Sequence, residues 1–284
     1  MALFSDVLLT VDYDRTLTAP DSTIPARNLE AIRYFMENGG AFTVNTGRSL
    51  PMVHTILAEV PVNAPLLLYN GALAYDTEAE SVVFFHRIPL EQAQVVRRCL
   101  ELFPDLTVEI QGLKSHYRFR EDPAWDVFTS SNDCAGAPAE PEADLGPFLK
   151  FTIYGQIHRP VVADLFEGTA EEIRRIDEAQ EILRREFGEA IEPTRSAPRL
   201  IDVQARGTGK GRAARELQQK LGRSILVCVG DAENDLSMME EADYAFCPAD
   251  GILVSRYETV CPCGLGAVAE VIYKKIPEIL KNNT

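Results

Sequence analysis

The chain is short of the features that binding to polyanions or membranes requires. Lys and Arg number 28 against 43 Asp and Glu, a formal net charge of −15, so neither nucleic acid nor an anionic membrane is an expected partner. No apolar run approaches the ~20 residues of a membrane-spanning helix. No basic region precedes the first apolar stretch, so no signal peptide is expected, and the expected location is cytoplasmic. The six cysteines are scattered, some of them in strand-like runs, which excludes a disulfide framework and fits a reduced compartment. Cys261-Pro262-Cys263 is one close pair without a second pair or a nearby His, and reads as two structural thiols. The four His show no metal-ligand spacing, internal repeats are absent, and the single Trp, Trp125, reads as packing.

What is present begins with Val7-Leu8-Leu9-Thr10-Val11-Asp12-Tyr13-Asp14-Arg15-Thr16. An apolar, β-branched run that stops at two carboxylates suits a buried strand of a parallel sheet. Ligands of such sheets sit beyond the carboxyl ends of the strands. Two acids there repel unless a cation or proton lies between them. Pro25 then opens a predicted helix over 26–37 that ends at Asn38-Gly39-Gly40. Strands over 41–45 and 66–69 flank a helical stretch, 51–59, and Asn70-Gly71 is a turn. Strand–helix alternation of this kind predicts a doubly wound parallel α/β sheet.

The pattern changes near Val82. A strand over 82–85, a helix over 90–103, strands over 107–110, 115–119 and 148–154, a loop over 133–147 and a helix over 169–187 describe a separate α+β unit. The α/β rhythm returns with a helix from Lys210 to Leu221, a strand over 224–229, a helix over 234–242, a short strand over 244–246 and a closing helix over 266–280. The expected organisation is an α/β core formed by residues 1–81 and 194–284, with an α+β cap, 82–193, inserted.

Four polar clusters fall at strand ends or helix starts of the core: Asp12/Asp14/Thr16, Thr46-Gly47-Arg48, Lys210, and Gly230-Asp231-Ala232-Glu233-Asn234-Asp235. In a doubly wound sheet these converge on one crevice. Several acids, a hydroxyl and one Lys suit an oxygen-coordinated Mg²⁺ beside a phosphoryl group, and an Asp can serve there as nucleophile.

With Tyr69-Asn70-Gly71-Ala72, these motifs resemble the haloacid dehalogenase-like hydrolase superfamily and, within it, the Cof-type phosphatases. The resemblance implies a Rossmann-like core and Mg²⁺-dependent hydrolysis of a small phosphorylated metabolite, with a sugar phosphate as the class. Asp12 would be the nucleophile and Asp14 the acid–base. Thr46 and Lys210 would hold the phosphoryl oxygens, and Mg²⁺ would be bound by Asp12, the Asp14 carbonyl and Asp231. Asn234 and Asp235 would support the metal's waters or Lys210. Thr16, Gly47 and Arg48 are candidate substrate contacts. Arg15 stands where the family often has Gly, which bears on the loop's conformation. Strand alternation places Lys114, His116, Arg118 and Arg120 on one face; Arg118, with Lys150 elsewhere in the cap, is a candidate for substrate binding. A phosphomutase or phosphotransferase, a dehalogenase, or a non-catalytic phosphometabolite-binding protein are the alternatives. A monomer or small homo-oligomer is expected.

Overall fold

A computed structural model describes residues 2–53, 58–131, 134 and 136–282. The chain divides into two compact units, one of Met1–Gly47, Thr55–Phe84 and Gly209–Thr284, the other of Arg48–His54 and Phe85–Thr208.

The first unit is built on β1 (Val7–Val11), whose five side chains are all buried. It pairs in parallel with β2 (Ala41–Val44) and with β12 (Ile225–Val229). The sheet continues through β13 (Tyr244–Pro248) to β14 (Glu258–Val260), so the order is β14-β13-β12-β1-β2. Alternation along a strand sends neighbouring side chains to opposite faces. Leu8, Leu226 and Cys228 pack with Ala213, Ala214 and Leu217 of α5 (Lys210–Lys220) and Met238 and Met239 of α6 (Leu236–Glu241). Val7, Leu9 and Val11 are buried on the other side, where α1 (Ala26–Glu37) packs on β2 and on the C-terminal helical run 267–282. Both faces are covered, as a parallel sheet requires. Strands β3 (Leu66–Leu68), β4 (Leu73–Asp76) and β5 (Ser81–Phe85) form a second, smaller sheet of this unit.

The second unit carries a six-stranded sheet. Its strands are β6 (Thr107–Gln111), β7 (His116–Arg118), β8 (Gly136–Pro138), β9 (Phe151–Tyr154), β10 (Ile191–Ala197) and β11 (Leu200–Ala205), in the order β10-β11-β9-β6-β7-β8. Val108, Ile110, Phe151, Ile153, Ile201 and Val203 face the buried sides of α2 (Gln92–Leu102) and α4 (Ala170–Phe187). Between β7 and β8 lies α3 (Pro123–Ser131), which buries Trp125, Phe128 and Thr129. Thr169 and Glu172 close α4 with a capping box.

The unit boundaries differ from those the sequence suggests. The 82–85 strand belongs to the first unit's small sheet, and the second unit runs on to Thr208 instead of ending at 193. The reason is pairing: β11 bonds antiparallel to both β10 and β9, which ties residues 191–205 to the second sheet. Strand β10 escapes a sequence pattern because Pro193 and Arg195 interrupt it. Strand β8 lies within the expected 133–147 loop; it sits at the sheet's edge, where Pro138 costs no ladder bond. Of the expected 51–59 helix, Leu50–Met52 form a single 3₁₀ turn, and residues 54–57 lie outside the described residues. No helix among the described residues is long and apolar enough to cross a membrane.

Candidate active site

The carboxyl ends of β1 and β12 place the first unit's charged residues together. Asp12 follows β1, and its backbone N–H donates to the carbonyl of Val229 at 3.0 Å. Asp231 stands two residues beyond β12. From the start of α5, Lys210 reaches both acidic segments: Nζ lies 2.5 Å from Asp12 Oδ1 and 2.6 Å from Asp235 Oδ1. All four side chains are buried.

One ammonium therefore faces three carboxylates. Burial works against the Lys210 charge, but Asp12 and Asp235 outweigh it and raise its pKa. Burial pushes Asp12 well above the usual carboxylate range, with Asp235, Asp231 and Asp14 adding repulsion that Lys210 only partly offsets. Asp231 is pushed up to about 6, first by burial and then by Asp235. The lysine alone does not balance this negative charge. Asp12, Asp231 and Asp235 each offer an oxygen within 4.8 Å of the others, the one such cluster among the described residues. A divalent hard cation with oxygen ligands fits that donor set. Asp235 is the least available of the three: Oδ1 accepts from Lys210, and Oδ2 accepts from the backbone N–H groups of Asp231 and Ala232 at 2.9 and 3.1 Å. It positions the lysine and the turn, while Asp12 and Asp231 are the carboxylates with oxygens to give.

The remaining candidates have distinct settings. Thr16 is buried and donates to Asp231 Oδ1 at 2.8 Å, so it orients a carboxylate of the cluster. Asp14 is exposed, on an extended stretch of the turn (ψ 123°). Thr46 is buried; its N–H donates to Leu67 and its carbonyl accepts from Asn70, at 2.9 and 3.0 Å. A Cβ on Gly47 would lie 2.8 Å from Asn70 Oδ1. Arg48 groups with the second unit. Asn234 is half-buried in the 3₁₀ turn Glu233–Asp235. Two residues act on Lys210 in ways the motifs do not spell out. Asn45 donates to the Lys210 carbonyl at 2.9 Å. Gly71, at φ +89°, lets its turn approach α5, since a Cβ there would lie 2.4 Å from the Gly209 carbonyl oxygen.

Arg15 adopts φ 63°, ψ 9°, the left-handed conformation that glycine takes without cost. The loop keeps the backbone shape that Gly would give and bears the strain of a side chain. Arg15→Gly should shift stability by less than about 1 kcal/mol, because relieved strain is offset by a more flexible unfolded chain. Thermal melting checks this; a larger loss would assign a stabilising contact to the guanidinium.

In the second unit the expected basic face is open only in part: Lys114 and Arg120 are exposed, Arg118 is half-buried and His116 is buried. Only His116–Arg118 form the strand. His116 is buried against Glu109. Arg118 is paired with Asp126 through two bonds of 2.6 and 2.9 Å. Arg120 turns its guanidinium to the carbonyls of Phe103 and Leu100. Lys150 is buried 2.8 Å from Asp202. Alternation orders these side chains on a face but does not reveal the acids that pair with His116, Arg118 and Lys150. Trp125 is fully buried and its indole N–H donates to Glu109 at 2.5 Å. All six cysteines are free. Burial pushes Cys261 up to about 11 and Cys263 up to about 12, and the Cys263 thiol donates to Asp250 at 3.1 Å.

Known proteins resemble the chain over most of its length. The chain is 26% identical over 259 residues to 5-amino-6-(5-phospho-D-ribitylamino)uracil phosphatase of Bacillus subtilis, covering 83% of this chain and 85% of that one. It is 25% identical over 240 residues to pyridoxal phosphate phosphatase of Escherichia coli, with the same coverage of each. A haloacid dehalogenase-like hydrolase from Bacteroides thetaiotaomicron has the same fold, with a TM-score of 0.78 at 20% identity over 94% of this chain and 98% of that one. Residues 9–252 match the haloacid dehalogenase-like hydrolase family along their length, and the chain belongs to that family.

Proposed function

We propose that the protein is a Mg²⁺-dependent phosphomonoesterase that works through a phosphorylated Asp12. The observation that carries this reading is the buried constellation of Asp12, Lys210, Asp231 and Asp235 at the strand ends, in which one cation serves three acids. Asp12 attacks phosphorus, forming the Asp12 O–P bond as the ester P–O bond breaks, and Asp14 supplies the proton that the leaving oxygen takes up. Asp14 then removes a proton from water as that water attacks phosphorus; the Asp12 O–P bond breaks, and phosphate and the free carboxylate result. Lys210 and Thr46 hold the phosphoryl oxygens while charge redistributes. Asp12, Asp231 and the Asp14 carbonyl would hold Mg²⁺, which when bound supplies the positive charge that lets an anionic nucleophile meet an anionic substrate.

The substrate in this reading is a small phosphorylated metabolite, with a sugar or polyol phosphate as the first class to test. The Bacillus relative's name describes a ribityl phosphate and the Escherichia relative's a pyridoxal phosphate. We assign selection of the leaving group to the second unit, with the partly exposed Arg118, held by Asp126, as the candidate contact; Lys150, buried against Asp202, is left as that acid's partner.

Phosphate release from a panel of sugar phosphates, nucleotides and cofactor phosphates tests the reading. Release should require Mg²⁺ and stop on chelation. Mg²⁺ should also raise the melting temperature, since a ligand at 100 times its Kd adds about 2.7 kcal/mol of stability. Activity that survives chelation would overturn the metal's role, and transfer of phosphate to a second hydroxyl instead of water would point to a phosphotransferase.

A further inference from the structure

Arg15 stands between Asp14 and Thr16, and Thr16 donates to Asp231 Oδ1 at 2.8 Å. The turn that carries Arg15 therefore lies against the acidic cluster of the first unit. Its backbone is left-handed, φ 63° and ψ 9°, and its N–H donates to Thr18 Oγ1 at 3.1 Å. That conformation is strained for a residue with a side chain, and such strain persists where something else requires the residue.

The folded chain makes no close use of the guanidinium. Arg15 is exposed, and among the described residues its side chain forms no hydrogen bond or ion pair. Its charge is felt at Asp231 and Asp250, yet both acids have other partners. Asp231 takes the Thr16 hydroxyl, and Asp250 takes the N–H and the thiol of Cys263 at 2.9 and 3.1 Å. Arg118, Arg199 and Arg215, by contrast, each rest on a carboxylate.

A guanidinium with its donors open offers a planar fork that matches a carboxylate or a phosphate through two parallel bonds. The first unit's site has little other positive charge for such a group. Lys210 is buried and divided between Asp12 and Asp235. A leaving group with an anion of its own would otherwise meet only the field of a chain of net charge −15.

We propose that Arg15 is a specificity-determining residue whose guanidinium receives a second anionic group, a carboxylate or a phosphate carried by the substrate's leaving group. The inference rests on the phosphatase reading above and narrows its substrates to those with two anionic groups. A contact made away from the reacting phosphorus strengthens ground state and transition state alike, so it shows in KM more than in kcat.

The test compares phosphate release within three pairs at fixed free Mg²⁺: glycerol 3-phosphate with 3-phosphoglycerate, sorbitol 6-phosphate with 6-phosphogluconate, and glucose 6-phosphate with glucose 1,6-bisphosphate. The first two pairs add a carboxylate at different reach, and the third adds a phosphate. Arg15→Gly and Arg15→Asn remove the charge with residues that accept the left-handed conformation, and Arg15→Lys keeps the charge without the fork. In at least one pair, wild-type kcat/KM should favour the doubly anionic member about tenfold or more. Both neutral variants should lower that ratio about tenfold, through KM, with Arg15→Lys between them and the wild type. Calorimetry of the same pairs on Asp12→Asn, with and without Arg15→Gly, should show the same preference as binding. An unchanged ratio in whichever neutral variant is folded, or a wild type without preference in any pair, would overturn the role of Arg15 and leave the phosphatase reading standing. Turnover that persists in Asp12→Asn, or no release from the wild type, would overturn that reading instead, and calorimetry would still decide whether Arg15 holds the second anion.

Discussion

Asp12→Asn is expected to lower phosphate release by at least about a thousandfold while leaving the protein no less stable than the wild type. The amide cannot form the acyl phosphate, so the loss belongs to the chemical step, and losses of this order accompany removal of a nucleophile. The stability expectation follows from electrostatics. Asp12 is buried, and its burial together with three neighbouring carboxylates raises its pKa in spite of Lys210. An ionised Asp12 in the folded state is therefore a charge held at a cost. The substituted amide would keep the side chain's shape and remove that charge, while Lys210 retains its 2.6 Å contact with Asp235. A melting temperature equal to or above the wild type's, alongside lost turnover, would identify Asp12 as a residue kept for chemistry at the expense of stability. A variant that loses both turnover and fold would instead make Asp12 a structural partner of Lys210.

The parts of this molecule that can be read from sequence are those where one short segment holds the whole signal. The β1 run ending at Asp12 is such a segment, because burial on both faces demands a continuous apolar stretch and the acids stop it abruptly. Lys210 is another: a cation in the first turn of a helix opposes the helix dipole, and the cost points to a partner. That the partners are Asp12 and Asp235 depends on strand ends meeting, which the parallel topology implies. The second unit is less legible. A period of two places Glu109, Gln111, His116 and Arg118 on the side away from α2 and α4, but it cannot say that Glu109 pairs with His116, or that Ser49, 67 residues before that histidine, completes the contact. Strand β10 is hidden for a related reason, since its stability comes from the ladder with β11 and not from its own interrupted pattern. Local patterns specify elements; pairing between distant segments specifies the neutralised charges.

Lys210→Met should be the most destabilising single change at this site, and its effect should depend on Mg²⁺. The ammonium is fully buried and is the charge that directly contacts Asp12 and Asp235. Removing one partner of a buried ion pair costs about 3–5 kcal/mol, because the other partner is left without compensation. For a unit of this size that corresponds to a fall of roughly 6–20 °C in melting temperature. The measurement is thermal unfolding in chelator and again in Mg²⁺. In chelator nothing replaces the lost charge and the full fall is expected. In Mg²⁺ a cation held by Asp12 and Asp231 would restore much of the stability, since binding to the folded state alone stabilises it. Turnover would not return, because the phosphoryl oxygens would still lack the lysine. Lys210→Arg separates charge from shape: it keeps the cation but replaces a compact ammonium, placed 2.5 and 2.6 Å from two carboxylates, with a planar fork. It should melt closer to the wild type than Lys210→Met does and remain inactive. Equal melting of Lys210→Met and wild type in chelator would show that the three carboxylates do not depend on the lysine, and would remove the electrostatic basis for placing a metal among them.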